Sequence, residues 1–168
     1  MKVLSLDLSF AKTGWAVTNI KNDQCILIDS GLIVSDKSLD DIDRIIDTIN
    51  QIEKIYKKYN PDLTLKEKSL IGRSSTATNV IKTHAVFEYI FYSNLRPYED
   101  VHNGTIKKWA RKYMELDKVT DKKIMVANAV EKYYNKRIDT IWGTRGRLID
   151  DVSDAIAITI TYLNKLKG

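Results

Sequence analysis

Two carboxylates stand inside apolar, strand-like runs, and no other feature constrains the fold of this chain as much. Asp7 lies in Val3-Leu4-Ser5-Leu6-Asp7-Leu8, and Glu67 ends Leu63-Thr64-Leu65-Lys66-Glu67. A carboxylate carried into apolar surroundings is costly unless something compensates its charge. Two further acids, Asp151 and Asp154, stand one turn apart at the start of the last apolar helix. A fold that brings all four together lets a shared divalent cation supply the compensation. Oxygen-only donors favour Mg²⁺ or Mn²⁺ over softer metals.

The pattern between these acids predicts how they meet. Residues 2–8 and 14–20 read as a strand hairpin joined by Ser9-Phe10-Ala11-Lys12-Thr13, and 25–29 continue as a third strand toward Leu32-Ile33-Val34. Ser38 is the expected N-cap of a long helix, with Ile42, Ile45, Ile46, Ile49, Ile52 and Tyr56 on its apolar face and Asn60-Pro61 as its stop. A fourth strand spans 63–67. Ser69 to Thr78 reads as a mobile loop. A helix then runs to about Leu95, with Val80, Thr83, Phe87, Ile90 and Phe91 inward, and Tyr98 to His102 forms a fifth strand. Thr105 caps a short helix carrying Ile106, Trp109 and Tyr113. Thr120 and Asp121 open another carrying Ile124, Ala127, Val130 and Tyr134. A loop at 139–148 leads to the last helix, from about Ile149 to Lys165.

A helix between the third and fourth strands requires a return crossover, so the fourth strand should run parallel to the first. That places Glu67 beside Asp7. The expected architecture is α/β: a five-stranded mixed sheet, three antiparallel strands followed by parallel ones, flanked by helices.

The 168 residues suit a single domain, 1–168, with one core. No apolar run reaches about 18 residues, so no transmembrane helix is expected. The N-terminus begins on a strand rather than a basic and apolar leader, and a cytoplasmic location follows. The lone cysteine, Cys25, rules out a disulfide framework and a cysteine-based zinc site, and reads as a buried strand residue. The net charge of +5 is modest, but the lysines and arginines cluster at 107–123 and 136–147 while acids gather at 36–47. Grouped positive charge fits a phosphate-rich partner.

Four acids around a concave site could hold two metal ions about 4 Å apart, a pair able to activate water and stabilise the leaving oxygen of a phosphodiester. With that chemistry in view, the segment Leu4-Ser5-Leu6-Asp7-Leu8-Ser9-Phe10-Ala11-Lys12-Thr13-Gly14-Trp15-Ala16-Val17 resembles the RuvC-type Holliday junction resolvases of the ribonuclease H-like superfamily. Asp62-Leu63-Thr64-Leu65-Lys66-Glu67-Lys68 is similar to that family's strand ending in a second acid, and Asp151-Val152-Ser153-Asp154-Ala155-Ile156-Ala157 to its closing Asp-x-x-Asp-Ala helix. The resemblance covers nearly the whole chain in order, and its divergence suggests a bacteriophage-like member acting in a bacterial host cytoplasm.

The resemblance implies a homodimer that cuts two strands of a four-way DNA junction symmetrically with Mg²⁺ or Mn²⁺. It makes Asp7, Glu67, Asp151 and Asp154 the catalytic metal ligands, Lys122 a basic residue opening the penultimate helix, and Lys107 or Lys108 a phosphate contact. Arg73, Lys123 and Arg145 complete the expected DNA contacts. Asp150, beside Asp151 and also one turn from Asp154, competes for the ligand role, and the Asp-x-x-Asp-Ala match favours Asp151. After the second acid the chain reads Ser69-Leu70-Ile71-Gly72-Arg73, without the aromatic found in sequence-selective members, so weak sequence preference is expected.

Trp142, in a loop beside Arg145 and Arg147, is open to two roles, DNA contact or loop anchor. His102 is a candidate for assisting proton transfer. Rival readings are an RNA-processing or RNA/DNA-hybrid nuclease of the same superfamily, a non-catalytic branched-DNA-binding dimer, and an actin-like phosphotransferase. The last needs glycine-rich phosphate loops that seven glycines, thinly spread, do not supply.

Overall fold

The computed structural model describes residues 1–68, 75–116, 118 and 121–167. Strands β1 (Lys2–Asp7), β2 (Lys12–Lys21) and β3 (Gln24–Val34) form an antiparallel meander. Helix α1 (Asp41–Tyr59) crosses over to β4 (Leu63–Glu67), α2 (Ser75–Ser93) leads to β5 (Tyr98–Val101), and α3 (Asn103–Tyr113), α4 (Lys122–Tyr134) and α5 (Asp150–Leu166) complete the order. The five strands make one sheet in the order β3-β2-β1-β4-β5, with β4 parallel to both β1 and β5. The mixed topology expected from the crossover is therefore the observed one.

Strand alternation divides the core in two. Val3, Ala16, Leu63 and Leu65 face α3, α4 and α5, where Ile106, Val126, Val130, Ile156 and Ile160 are buried. Leu4, Leu6, Leu8 and Val17 face α1 and α2, against Ile45, Ile49, Ile52, Phe87 and Phe91. Since side chains alternate along a strand, Asp7 and Glu67 must share the α5 face with Val3 and Leu65. Helix α5, apolar almost all round, lies across β1, β2 and β3 and is the most buried helix.

Several local expectations differ. Ser38 does not cap α1: its amide and hydroxyl both donate to Asp36 Oδ1, at 2.9 and 2.7 Å, so the helix starts after Asp40. Ile42 and Ile46 stay exposed, because the buried stripe runs through Ile45, Thr48, Ile49 and Ile52. Residues 75–78 belong to α2 rather than to a loop, while the rest of that proposed loop, Ser69 to Ser74, lies outside the described residues. Helix α3 starts after His102, so Thr105 sits within its first turn. Asp121 caps α4 by accepting from the amides of Lys123 and Ile124, at 2.8 and 3.1 Å, while Thr120 lies outside the described residues. Ile124 points outward, since α4 buries Met125, Val126, Ala127, Ala129 and Val130 instead. Among the described residues, no helix is long and apolar enough to cross a membrane.

Candidate active site

Parallel strands β1, β4 and β5 all end on one edge of the sheet, the edge where open α/β folds build ligand sites. Asp7 is the last residue of β1, Glu67 the last of β4, and Asn103 stands two residues beyond the end of β5. The pairing of Leu6 with Lys66 sets Asp7 and Glu67 side by side. The turn after Asp7 is closed by Thr13, whose hydroxyl donates to the Ser9 carbonyl at 3.0 Å and accepts from the Ser9 amide at 3.2 Å.

Helix α5 brings the remaining acids. Its first turn rests directly on β2 at Gly14, the residue paired with Asp7. A Cβ there would lie 1.9 Å from the Asp151 carbonyl oxygen, so only glycine permits this approach. Asp151 and Asp154 therefore stand over the carboxyl ends of β1 and β4.

The electrostatics record this convergence. Burial, then the negative charges of Glu67, Asp154 and Asp151, holds the Asp7 carboxyl well above its ordinary value. Asp154 is pushed up to about 7, first by burial and then by Glu67 and Asp150, with Lys107 opposing. Asp151 is raised by burial and by Asp150, with Lys12 and Lys123 opposing. Glu67 accepts a hydrogen bond from Asn103 Nδ2 and shares one with Asp7. Among the described residues, no three such side chains close into a grip on a metal ion as they stand. The donor set nonetheless fits a hard cation: four carboxylates, of which Asp7, Asp151 and Asp154 are raised by burial and by neighbouring acids, with few positive charges to balance them.

The expected companions sort as follows. Asp150 is engaged by Lys123 at 2.6 Å and does not figure among the groups acting on Asp7, whereas Asp151 does. Lys107 faces the acids; Lys108 lines a separate groove on the far side of α3. Lys123, rather than Lys122, reaches the acid cluster, and Lys122 is simply exposed. Arg145 is exposed in the loop after α4, with φ of 63°. Arg73 lies outside the described residues. Trp142 anchors its loop, donating from Nε1 to Glu131 at 2.8 Å under the Arg137 guanidinium. His102 lies in a hollow with Glu99, Asp100 and Lys165, not among the four acids.

Sequence reasoning missed Lys12 and Asn103. The signal for Asn103 was its place just after a parallel strand, where side chains at the sheet's carboxyl edge converge. It missed Lys66 as well. This lysine is 1% exposed on the opposite face of β4, with Nζ 2.9 Å from Glu88 and 2.5 Å from Asp100. Its ammonium lies 3.4 Å from His84 Nδ1, and His84 Nε2 donates to the Leu8 carbonyl at 3.0 Å. The His84 tautomer follows from this network, since an ammonium can only donate. A buried chain of polar contacts thus ties β4, β5 and α2 to the residue following Asp7.

Raised carboxyls make a pH prediction. In EDTA the folded protein keeps protons on Asp7 and Asp154 that the unfolded chain has already released above about pH 4. The folded state therefore binds more protons between about pH 4 and 7, and stability is lost as pH rises through that window. The expected result is a melting temperature several degrees lower at pH 8 than at pH 5, on a scale of about 2–4 °C per kcal/mol, and recovered by millimolar Mg²⁺. A melting temperature flat across this range would show that the acids are not mutually destabilising.

No protein-family model matches the chain. Two curated crossover junction endodeoxyribonucleases RuvC from Prochlorococcus marinus strains are 25% and 26% identical to it, each match spanning 98% of this chain and 98% of the relative. Among solved structures, Thermus thermophilus RuvC in complex with a Holliday junction substrate aligns with TM-score 0.75 and 14% identity over 100% of this chain and 96% of that one. The yeast mitochondrial Holliday junction resolvase aligns with TM-score 0.72 and 14% identity, over 98% of this chain and 80% of that one. The structural likeness shows a shared fold, and the sequence likeness runs from end to end. The chain is thus a relative of the RuvC crossover junction endodeoxyribonucleases over its whole length.

Proposed function

We propose that this protein is a metal-dependent endonuclease, a single nuclease domain that resolves four-way DNA junctions and other branched DNA by paired phosphodiester hydrolysis. The observation that carries this reading is the convergence of Asp7, Glu67, Asp151 and Asp154 at the carboxyl edge of a RuvC-like sheet. These four carboxylates are the candidate ligands for Mg²⁺ or Mn²⁺, two ions per site, with Asp151 favoured over the Lys123-bound Asp150. Bound divalent cations would lower the pKa of a water nucleophile and stabilise the charge developing on the scissile phosphate.

The chain's own residues do the rest. β1 and β4 set Asp7 and Glu67 on a rigid floor, and the first turn of α5 supplies the facing wall. Asn103 orients the Glu67 carboxylate by donating to it. Lys12, Lys107 and Lys123 form a positive rim that draws phosphates toward the acids without reading bases. Two cuts in one junction require two such sites, hence a homodimer. The exposed Ile81, Tyr89 and Tyr92 on α2 are a candidate contact for the second copy. The reaction would take place in the cytoplasm.

The test is cleavage of a labelled four-way junction beside linear duplex and RNA/DNA hybrid, in Mg²⁺, Mn²⁺ and EDTA. Symmetrical paired nicks confined to the junction and lost in EDTA are expected. Junctions that differ only at the crossover bases should be cut at rates within about a hundredfold of one another, since phosphate contacts carry no sequence information. Preferential cutting of the hybrid would replace the resolvase reading with an RNA-directed one, and binding without cleavage would leave only a junction-binding protein.

A further inference from the structure

A second feature lies away from the four acids. Between α3, α4 and the far end of α5 runs a groove of about 710 Å³, lined among others by Trp109, Tyr113, Lys108, Lys112, Lys132 and Lys165. Trp109 and Tyr113 are stacked, with centroids 5.6 Å apart and planes 22° apart. The Lys132 ammonium stands 5.4 Å over the Tyr113 ring. Among the described residues none of these four lysines pairs with a carboxylate, whereas Lys57, Lys58, Lys66 and Lys123 do. Among the described residues Glu115 is the one acid lining the groove. At one end the lining passes into the hollow holding Glu99 and Asp100, which would repel phosphate. At the other end it continues past Lys108 and Lys112. The groove therefore has a direction as well as a sign.

We propose that this groove is an accessory binding site for a single-stranded DNA segment, with bases against the Trp109–Tyr113 wall and phosphates on Lys112 and Lys132. Flat aromatic faces beside ammonium groups that pair with no carboxylate among the described residues, Lys132 donating only to the Tyr113 carbonyl at 3.2 Å, match unpaired nucleotides, whose bases expose faces that a duplex hides. The volume accommodates a nucleotide or two, within the ordinary range for ligand sites. Thr161 and Lys165 stand seven and eleven residues beyond Asp154 on α5, about 10–16 Å along the helix. A strand leaving the acid site can reach the groove within a few nucleotides. The inference rests on the nuclease reading and specifies a substrate for it: branched DNA with an unpaired stretch near the branch point.

The test measures binding of an oligo-dT strand, an abasic strand of equal length, a duplex and a polyglutamate peptide to the full protein in EDTA. Oligo-dT should bind more tightly than the other three. Lys112→Glu with Lys132→Glu should weaken it at least about tenfold and reduce the slope of log affinity against log salt by roughly 1.4, two contacts at about 0.7 each. Trp109→Leu should weaken oligo-dT about tenfold while leaving abasic binding unchanged. The two lysine changes should leave cleavage of a fully paired junction within about twofold, because neither residue touches the acid site, and slow cleavage of a gapped branch. Equal binding of abasic strand or polyglutamate would overturn the proposal by showing a generic anion surface. So would unchanged oligo-dT binding in the lysine variants. Oligo-dT binding in a protein that cuts no junction would keep the groove and reject the nuclease reading; the converse would reject the groove alone.

Discussion

Asp7→Asn is expected to abolish cleavage and to make the metal-free protein more stable. The amide keeps the shape of the side chain but removes a charge that Glu67, Asp151 and Asp154 all oppose. Cleavage should fall by roughly 10³-fold or more, the scale on which one member of a catalytic unit is lost. Junction binding should persist, because the positive rim is untouched. In EDTA at pH 8 the melting temperature should rise by several degrees, at about 2–4 °C per kcal/mol relieved. The stability gain should shrink as pH falls, because burial and the neighbouring acids favour the protonated form of the wild-type carboxyl. Wild-type cleavage by the variant would remove Asp7 from the site. A lower melting temperature would mean that the hydrogen bond with Glu67 outweighs the repulsion.

Lys66→Ala is expected to be among the most damaging substitutions outside the site. Removing one partner of a buried ion pair typically costs about 3–5 kcal/mol. Here Glu88 and Asp100 are 43% and 37% exposed, so they can recover water, which places the loss toward the lower end. A fall in melting temperature of roughly 6–12 °C should follow. Lys66→Met fills the same space but also leaves Glu88 and Asp100 without their partner, so it should recover only the packing part of the loss. Equal losses for the two variants would assign the effect to the ion pairs, and no loss in either would show the network to be idle. Because His84 links this lysine to the Leu8 carbonyl, a folded Lys66→Met should also need more Mg²⁺ for half-maximal cleavage.

Much of this was readable before any coordinates. Alternating apolar residues marked the strands, and a helix between the third and fourth strands forced the parallel pairing of β1 with β4 that sets Asp7 beside Glu67. The Asp-x-x-Asp spacing placed Asp151 and Asp154 on one face of α5. What escaped depended on long-range contacts. Lys66 alternates in β4 like an outward-facing residue, and only the later arrival of α2 and β5 buries it with Glu88 and Asp100. Ile42 satisfies helical spacing yet stays in water, because periodicity gives a stripe but not its phase against the sheet. The choice of Lys123 over Lys122, and of Lys107 over Lys108, turned on helix rotations of one residue that local sequence does not encode.

The wall facing the floor acids comes from an element far from them in sequence. Asp7 stands in the first strand, while Asp151 and Asp154 open the last helix, which rests on Gly14. A ribosome-bound chain that has completed β1 to β5 therefore owns half a site, and contacts of such long sequence separation form late. A chain in which α5 has not yet docked lacks Asp151 and Asp154 beside Asp7, and no cleavage is expected of it. The same order suggests that a fragment ending before Ile149 would be silent until a separate α5 peptide restored it.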